Sequence, residues 1–313
     1  MRNFISEDDI EQAILQKLEG DPFQYGILRC DPSPDKRELL PDGTGRSSKK
    51  ECVLPLILRE ALARLNPDIP GEKLEEIARD LCRDFSATDM TATNYKYYNQ
   101  IRNGIKISLR RNGKEDFDFV KLVDFDRPEN NTFTAVSQMW IQGRVYWRRP
   151  DVLIFINGLP MVFVELKNSI VKVEEAYNDN LKNYLRDIPN LFAFNQICVL
   201  SNGLETRLGA FNATYNHFFE WLKVDSEKER PDRQALKEAG TVGESSVRYF
   251  IDGLLQKGRL IDYIENFIMF RNQKNKIIAK NHQYFGVNNL MESVKNRAEL
   301  QGKLGVFWHT QGS

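Results

Sequence analysis

The stretch that most constrains this chain is RRPDVLIFINGLPMVFVELKN, residues 148–168. Two apolar runs, VLIFI and MVFVEL, have the length of strands, and Asn157-Gly158 between them is a strong hairpin signal. Asp151 opens the first run, and Glu165 and Lys167 close the second. Residues two apart on a strand share a face, so Glu165 and Lys167 point one way and Leu166 the other. Whether Asp151 joins them depends on register. With Asn157 and Gly158 alone as the loop, Asp151 faces Val164, on the wrong side of the sheet. One residue more, as a loop of Asn157, Gly158 and Leu159 or as a bulge, sets it opposite Glu165. Pro160 is acceptable at the start of the returning strand. The three charges are expected at the edge of an otherwise hydrophobic sheet.

Two carboxylates on one face, with the Leu166 carbonyl at the strand end, are the hard oxygen donors that Mg²⁺ prefers. A cation held there polarises a phosphoryl oxygen and acidifies a bound water. Lys167 beside it would orient or deprotonate that water and offset charge at phosphorus. The set suits metal-assisted hydrolysis of a phosphodiester. The same residues could also make a plain Glu165–Lys167 ion pair at a sheet edge; the apolar strands and NG turn around them favour chemistry. Arg144, Arg148 and Arg149, just before Asp151, are expected to contact phosphate. The net charge of zero, 44 basic against 44 acidic residues, neither supports nor excludes nucleic acid, because a basic patch can be local.

With 313 residues, 41% of them apolar, the chain can bury one large core or two domains. It contains no apolar run of about 18 residues, and MRNFISEDDIEQ has none of the features of a signal peptide. A cytoplasmic protein with no membrane span is expected. Cys30, Cys52, Cys82 and Cys198 are widely spaced and read as reduced thiols, not as a zinc site or disulfide frame. Residues 7–20 predict a helix with Ile10, Ile14, Leu15 and Leu18 on one face and Gly20 as its stop. Residues 30–50 predict a loop with freedom to move; 51–65 and 71–85 predict helices. Strands follow in FDFVKLVDF, TFTAVSQMWIQG, VLIFI and MVFVEL, then a helix in EEAYNDNLKNYLRD and a strand pair in QICVLSNG and ETRLG. This order predicts an α/β fold, a mixed sheet flanked by helices. The character changes near residue 222 to a charged stretch, and RYFIDGLLQKGRLIDYIENFIMF then reads as helical.

The motif closely resembles the nuclease motif of the restriction (R, motor) subunits of type I restriction endonucleases, members of the PD-(D/E)xK nuclease superfamily. That family carries QxxxY on the following helix. Here Asn180 and Tyr184 of AYNDNLKNY stand in those places, one helical turn apart, and the shorter amide can still hydrogen-bond. Glu11, on the first helix, matches the acid that many such nucleases direct toward the metal, and also reads as a solvated face residue. Tyr184 also reads as a core tyrosine. AKNHQYFGVNNLMESV and GVFWHTQGS resemble the entry to a superfamily 2 helicase domain. Gln283 matches an adenine-contacting glutamine, and HTQGS the start of a P-loop whose lysine and Ser/Thr are not reached.

The resemblance implies a PD-(D/E)xK nuclease-like fold over 1–222, a helical linker over 223–270 and a truncated helicase start over 271–313. It also implies Mg²⁺ as cofactor and ATP in the full-length subunit. The implied partners are double-stranded DNA and the methyltransferase and specificity subunits of the restriction complex. A DNA- or methyltransferase-binding module that cuts nothing alone is the alternative; intact Asp151, Glu165 and Lys167 favour the enzyme. No base-reading motif is visible, so target sequence is expected to come from elsewhere. Adenine contact by Gln283 alone would give one or two hydrogen bonds of about 0.5–1.5 kcal/mol each. Association costs at least about 4 kcal/mol. Calorimetry on this 313-residue chain is therefore expected to find no micromolar ATP binding; micromolar binding would overturn the P-loop assignment.

Overall fold

A computed structural model describes residues 4–83, 89–111, 114–226 and 228–306. Its centre is a seven-stranded mixed sheet whose spatial order follows the sequence. The strands are β1 (Gly26–Arg29), β2 (Phe133–Ser137), β3 (Val152–Ile156), β4 (Leu159–Leu166), β5 (Ile197–Ser201), β6 (Thr206–Gly209) and β7 (Phe219–Glu220). β1 and β2 run parallel, as do β4 and β5; the other neighbours are antiparallel. Every residue of β3 and β4 is buried, because both faces are covered. Alternate side chains enter different cores. Val152, Ile154, Val162 and Val164 belong to one, and Leu153, Phe155 and Phe163 to the other.

The first core is closed by α1 (Glu7–Glu19), α2 (Pro55–Leu65), α3 (Gly71–Cys82) and α4 (Met90–Asn103). Ser6 and Asp9 cap α1 reciprocally, and Ile10, Ile14, Leu15 and Leu18 are buried as their spacing predicts. α2 starts at Pro55, where a missing N–H costs nothing, rather than at residue 51. The second core is closed by α5, residues 173–187, and by Pro189–Phe192; Phe163 packs 5.3 Å from Tyr184 and 5.5 Å from Phe192.

The expected mixed sheet flanked by helices is therefore present. The motif strands, however, are third and fourth of seven, not at a sheet edge. The loop over 30–50 is held from within. Arg46 and Lys49 are buried on Asp42, each at 2.7 Å from its carboxylate, and Arg46 also donates to the carbonyls of Glu51 and Trp140. Two cations around one anion explain why the Asp42 carboxyl lies far below its usual range despite burial.

After residue 222, α6 (Ser246–Leu254) and α7 (Lys257–Asn266) form as expected, but IMF is not helical. Ile268–Arg271 pairs with Asn275–Ile278 as a hairpin turning at Asn272 and Gln273, both in the left-handed region. Val247, Phe250, Leu254, Tyr263 and Ile268 join the same core as the sheet, and Tyr98 donates to the Ile268 carbonyl at 2.6 Å. In the tail, α8 (Asn281–Lys295) is followed by turns over 296–302 and irregular chain to 306, and HTQGS lies outside the described residues. Among the described residues no helix is long and apolar enough to cross a membrane.

The β3–β4 turn is buried rather than at the surface. Asn157 is wholly inaccessible, donates to Leu122 and Asn131 and accepts from the Thr132 N–H at 2.8 Å. Gly158 has φ +80°, and a Cβ there would meet the Leu54 oxygen at 2.6 Å and the Leu58 nitrogen at 2.8 Å. Gly158→Ala is expected to destabilise the fold by about 2–4 kcal/mol, read as a fall in denaturation midpoint. An unchanged midpoint would mean that the turn can move away from α2.

Candidate active site

The register problem is solved by a bulge. Asn157 and Gly158, both at positive φ, make a two-residue turn, and Ile156 pairs with Leu159. Between Ile154 and Phe155 the register shifts, leaving Met161 as the extra residue, so that Val152 faces Val164. The Met161 carbonyl is taken by the Gln196 N–H at 2.6 Å. One step on, Asp151 stands across from Glu165. Its carboxylate accepts from the Leu166 N–H at 2.7 Å, which fixes it at the strand end.

Glu165 is 2% exposed and points to the α5 side. Asn180 donates to its Oε1, while Oε2 is buried with no hydrogen-bond partner. Residues Ala176–Leu181 of α5 form a π-helical turn. The amide at position 180 thus reaches Glu165 from a widened stretch of helix, a distortion common at functional sites. The Tyr184 hydroxyl donates to the Arg149 carbonyl at 2.9 Å, tying α5 to the segment that enters Asp151. Lys167 Nζ donates to the Leu166 carbonyl at 3.1 Å and lies 3.6 Å from Glu165 Oε1. One ammonium therefore touches two of the three expected metal donors.

Glu11 is buried on α1, which removes the reading of a solvated residue. It meets Asp151 through an intermediary, Gln138. The Gln138 amide donates to Glu11 and approaches Asp151 Oδ1 at 3.5 Å. Gln138 has φ +56°, unusual for a residue other than glycine, and its backbone N–H donates to the Asp151 carbonyl at 3.0 Å. Sequence reasoning missed Gln138, which lies outside the motif. The one signal available was an amide directly after an apolar strand, TFTAVS.

Burial dominates the electrostatics. Desolvation pushes the Asp151 carboxyl up to about 6 and Glu11 to about 7. Glu165 rises well above the usual carboxylate range, first by desolvation and then by the Asp151 charge, with Lys167 opposing. Tyr184 is also raised, by desolvation and the two carboxylates. Desolvation of the charged form is the first cause in each case.

Of the arginines, Arg148 is engaged by the buried carboxylate of Asp187, with Nε at 2.8 Å. Arg149 donates to the Pro32 carbonyl and lies 5.2 Å from the Trp140 ring; Arg144 is exposed. Gln283 accepts from the backbone N–H of Lys280 at 2.8 Å and caps its own helix. It is not brought to the carboxylates.

Among the described residues, no three His, Cys, Asp or Glu side chains gather into a metal-holding group. The donor set is two carboxylates and one carbonyl. That fits a cation retaining several waters, as Mg²⁺ does, and the unpartnered Glu165 Oε2 is a ready ligand atom.

Comparison with known proteins finds relatives of the chain as a whole. The family model for the type I restriction enzyme R protein N terminus matches residues 4–217. The chain is 32% identical over 319 residues to the type I restriction enzyme HindI endonuclease subunit of Haemophilus influenzae, covering 99% of this chain and 29% of that protein. It is 29% identical over 330 residues to the putative type I restriction enzyme MjaIXP endonuclease subunit of Methanocaldococcus jannaschii, covering 97% and 30%. The chain thus spans less than a third of the length of these relatives.

Proposed function

This chain belongs to the family of type I restriction enzyme R protein N termini, and from that premise we propose that it is an Mg²⁺-dependent endonuclease domain of the PD-(D/E)xK kind. It hydrolyses DNA phosphodiesters without sequence preference, as part of an ATP-driven translocating complex in the cytoplasm. The observation that carries this reading is the bulged hairpin that sets Asp151 and Glu165 at one strand end with Lys167 between Glu165 and the Leu166 carbonyl.

Asp151, Glu165 and the Leu166 carbonyl would hold the cation. When bound, Mg²⁺ supplies charge to a phosphoryl oxygen and lowers the pKa of a water. Lys167, as an ammonium, would orient an attacking water and offset charge at phosphorus. Asn180 holds Glu165 Oε1, and Tyr184 holds the Arg149 carbonyl, so both carboxylates keep their aim from rigid elements. Glu11 acts on Asp151 through Gln138. Arg144, which is exposed, faces phosphate, and Arg148 and Arg149 offer it the N–H donors that Asp187 and the Pro32 carbonyl leave over.

In this reading 1–222 carry the cleavage chemistry. Residues 223–270 are a helical linker that packs on the same core, and 271–313 open a superfamily 2 helicase domain in which Gln283 contacts adenine of ATP. Double-stranded DNA and the methyltransferase and specificity subunits are the partners. The test uses an intact R subunit assembled with those partners and supplied with plasmid, ATP and Mg²⁺. Asp151→Ala and Glu165→Ala should each lose cleavage while ATP hydrolysis continues. Plasmid cleavage at the parent rate by both variants would reject the assignment.

A further inference from the structure

Between Gln138 and Asp151 the chain leaves the sheet and returns as a small ribbon. Ile141–Gln142 pairs with Trp147–Arg148, and the Gly143 N–H donates to the Tyr146 carbonyl at 2.9 Å. The ribbon is fixed on three sides. Its base is closed by the Gln138–Asp151 backbone bond, and the Gln142 N–H donates to the Lys49 carbonyl at 2.9 Å. Gly143 lies so close to the end of α5 that a Cβ would meet the Asp187 carbonyl oxygen at 1.9 Å.

The tip, by contrast, is bare and apolar: Val145 is 77% exposed and Tyr146 55%. Positive charge surrounds it. The guanidinia of Arg148 and Arg186 each lie 5.9 Å from the Tyr146 ring, and Arg144 is exposed beside it. Two acids there are outnumbered or matched by arginines. Asp187 is shared by Arg148 and Arg186, and Glu38 lies 3.4 Å from Arg37, whose guanidinium sits over Trp147. An apolar point among arginines, mounted on a rigid two-stranded arm, matches the charge of one class of partner, a polyanion with a groove.

We propose that this ribbon is a duplex-docking element: Val145 and Tyr146 enter a DNA groove while the arginines face the flanking phosphates. This rests on the nuclease reading and adds to it a surface that seats the duplex. A two-stranded ribbon fits the roughly 12 Å major groove better than the roughly 6 Å minor one. Val145 has no donor or acceptor with which to read base edges, which suits contact without sequence preference. Because the chain leaving the ribbon passes through Asp151 directly into β3 at Val152, a duplex held at the tip is held at a fixed offset from the carboxylates.

The test measures binding of a labelled duplex of arbitrary sequence to the 313-residue chain by fluorescence anisotropy. The buffer contains chelator, so that cleavage does not intervene. Val145→Asp sets an anion against phosphate and should weaken binding by at least about tenfold. Tyr146→Ser, which adds no charge, should weaken it in the same direction by less. Met269→Asp, the same charge at another exposed apolar position, should leave affinity within about twofold, because a single remote charge is largely screened. Melting temperatures should not move for the ribbon variants, since these side chains are exposed. Parent-like affinity in Val145→Asp and Tyr146→Ser overturns the docking role and leaves the nuclease reading standing. Failure of the parent chain to bind any duplex overturns both.

Discussion

Replacing Lys167 with alanine is expected to lower DNA cleavage by about 10³-fold or more, the scale on which preorganised charge at a phosphoryl centre acts. Duplex affinity should change by no more than about threefold, since one phosphate contact is a small share of many. The split follows from position: Nζ is within reach of Glu165 and the Leu166 carbonyl, deep at the strand end and only 17% exposed, where it serves the reacting group rather than the length of the duplex. Paired measurements of nicking rate and anisotropy would decide it. Equal loss in both would make Lys167 an anchor and remove it from the chemistry. In an intact subunit ATP hydrolysis should survive the change, because the two reactions use different residues.

The second large effect concerns stability. Asp151, Glu11 and Glu165 all have carboxyls raised by burial, so the folded chain holds protons that the unfolded chain has already released. The sign follows from linkage. The contribution of these groups is fullest below the ordinary carboxylate range and falls as pH rises through about 6 for Asp151 and about 7 for Glu11, with Glu165, raised well above the usual range by burial, acting in the same direction. In chelator, the melting temperature should therefore decline from mildly acidic to mildly alkaline pH. Glu165→Gln keeps an acceptor for Asn180 and removes the most deeply buried of these charges. It should melt roughly 3–6 °C above the parent at pH 8, taking about 2–4 °C per kcal/mol. Millimolar Mg²⁺ should restore the parent at that pH and do little for the variant. A variant that melts below the parent in chelator, or a parent indifferent to both pH and Mg²⁺, would remove the two-carboxylate cation site.

The carboxylate pair and lysine were legible because strand geometry has a period of two and Asn-Gly limits the turn. Together with the requirement that Asp151 share a face with Glu165, those facts called for one extra residue, which the bulge at Met161 supplies. The double covering of the sheet was less legible. Continuous apolar runs signal it, yet a charged residue at each end suggests an edge. Gln138 and the ion cluster of the 30–50 loop were not legible at all. Arg46 is buried because the Trp140 carbonyl and Asp42 surround it, and a sequence does not show that a loop folds back onto a strand end. The hairpin at 268–278 was hidden because its apolar residues continue the pattern of α7 and its turn lacks glycine.

The order of the sheet has a bearing on how the site comes together during synthesis. β2, β3 and β4 are neighbours in both sequence and space, joined by the two-residue turn and by a local ribbon, so their pairing has a low entropy of closure. Asp151, Glu165 and Lys167 can therefore meet within a nascent meander. β1 must wait for β2 across residues 30–132, and α1, which brings Glu11, is tied at Ile5 to Ser169, beyond the hairpin. A non-local pairing of this span is the slow class of step. The carboxylate pair would thus form early, while the third acid and the closure of the first core arrive late. A chain stalled between those stages would hold an assembled but water-exposed pair, its carboxyls near their ordinary values. Burial, and with it the raised proton affinity of the site, would be the last property acquired.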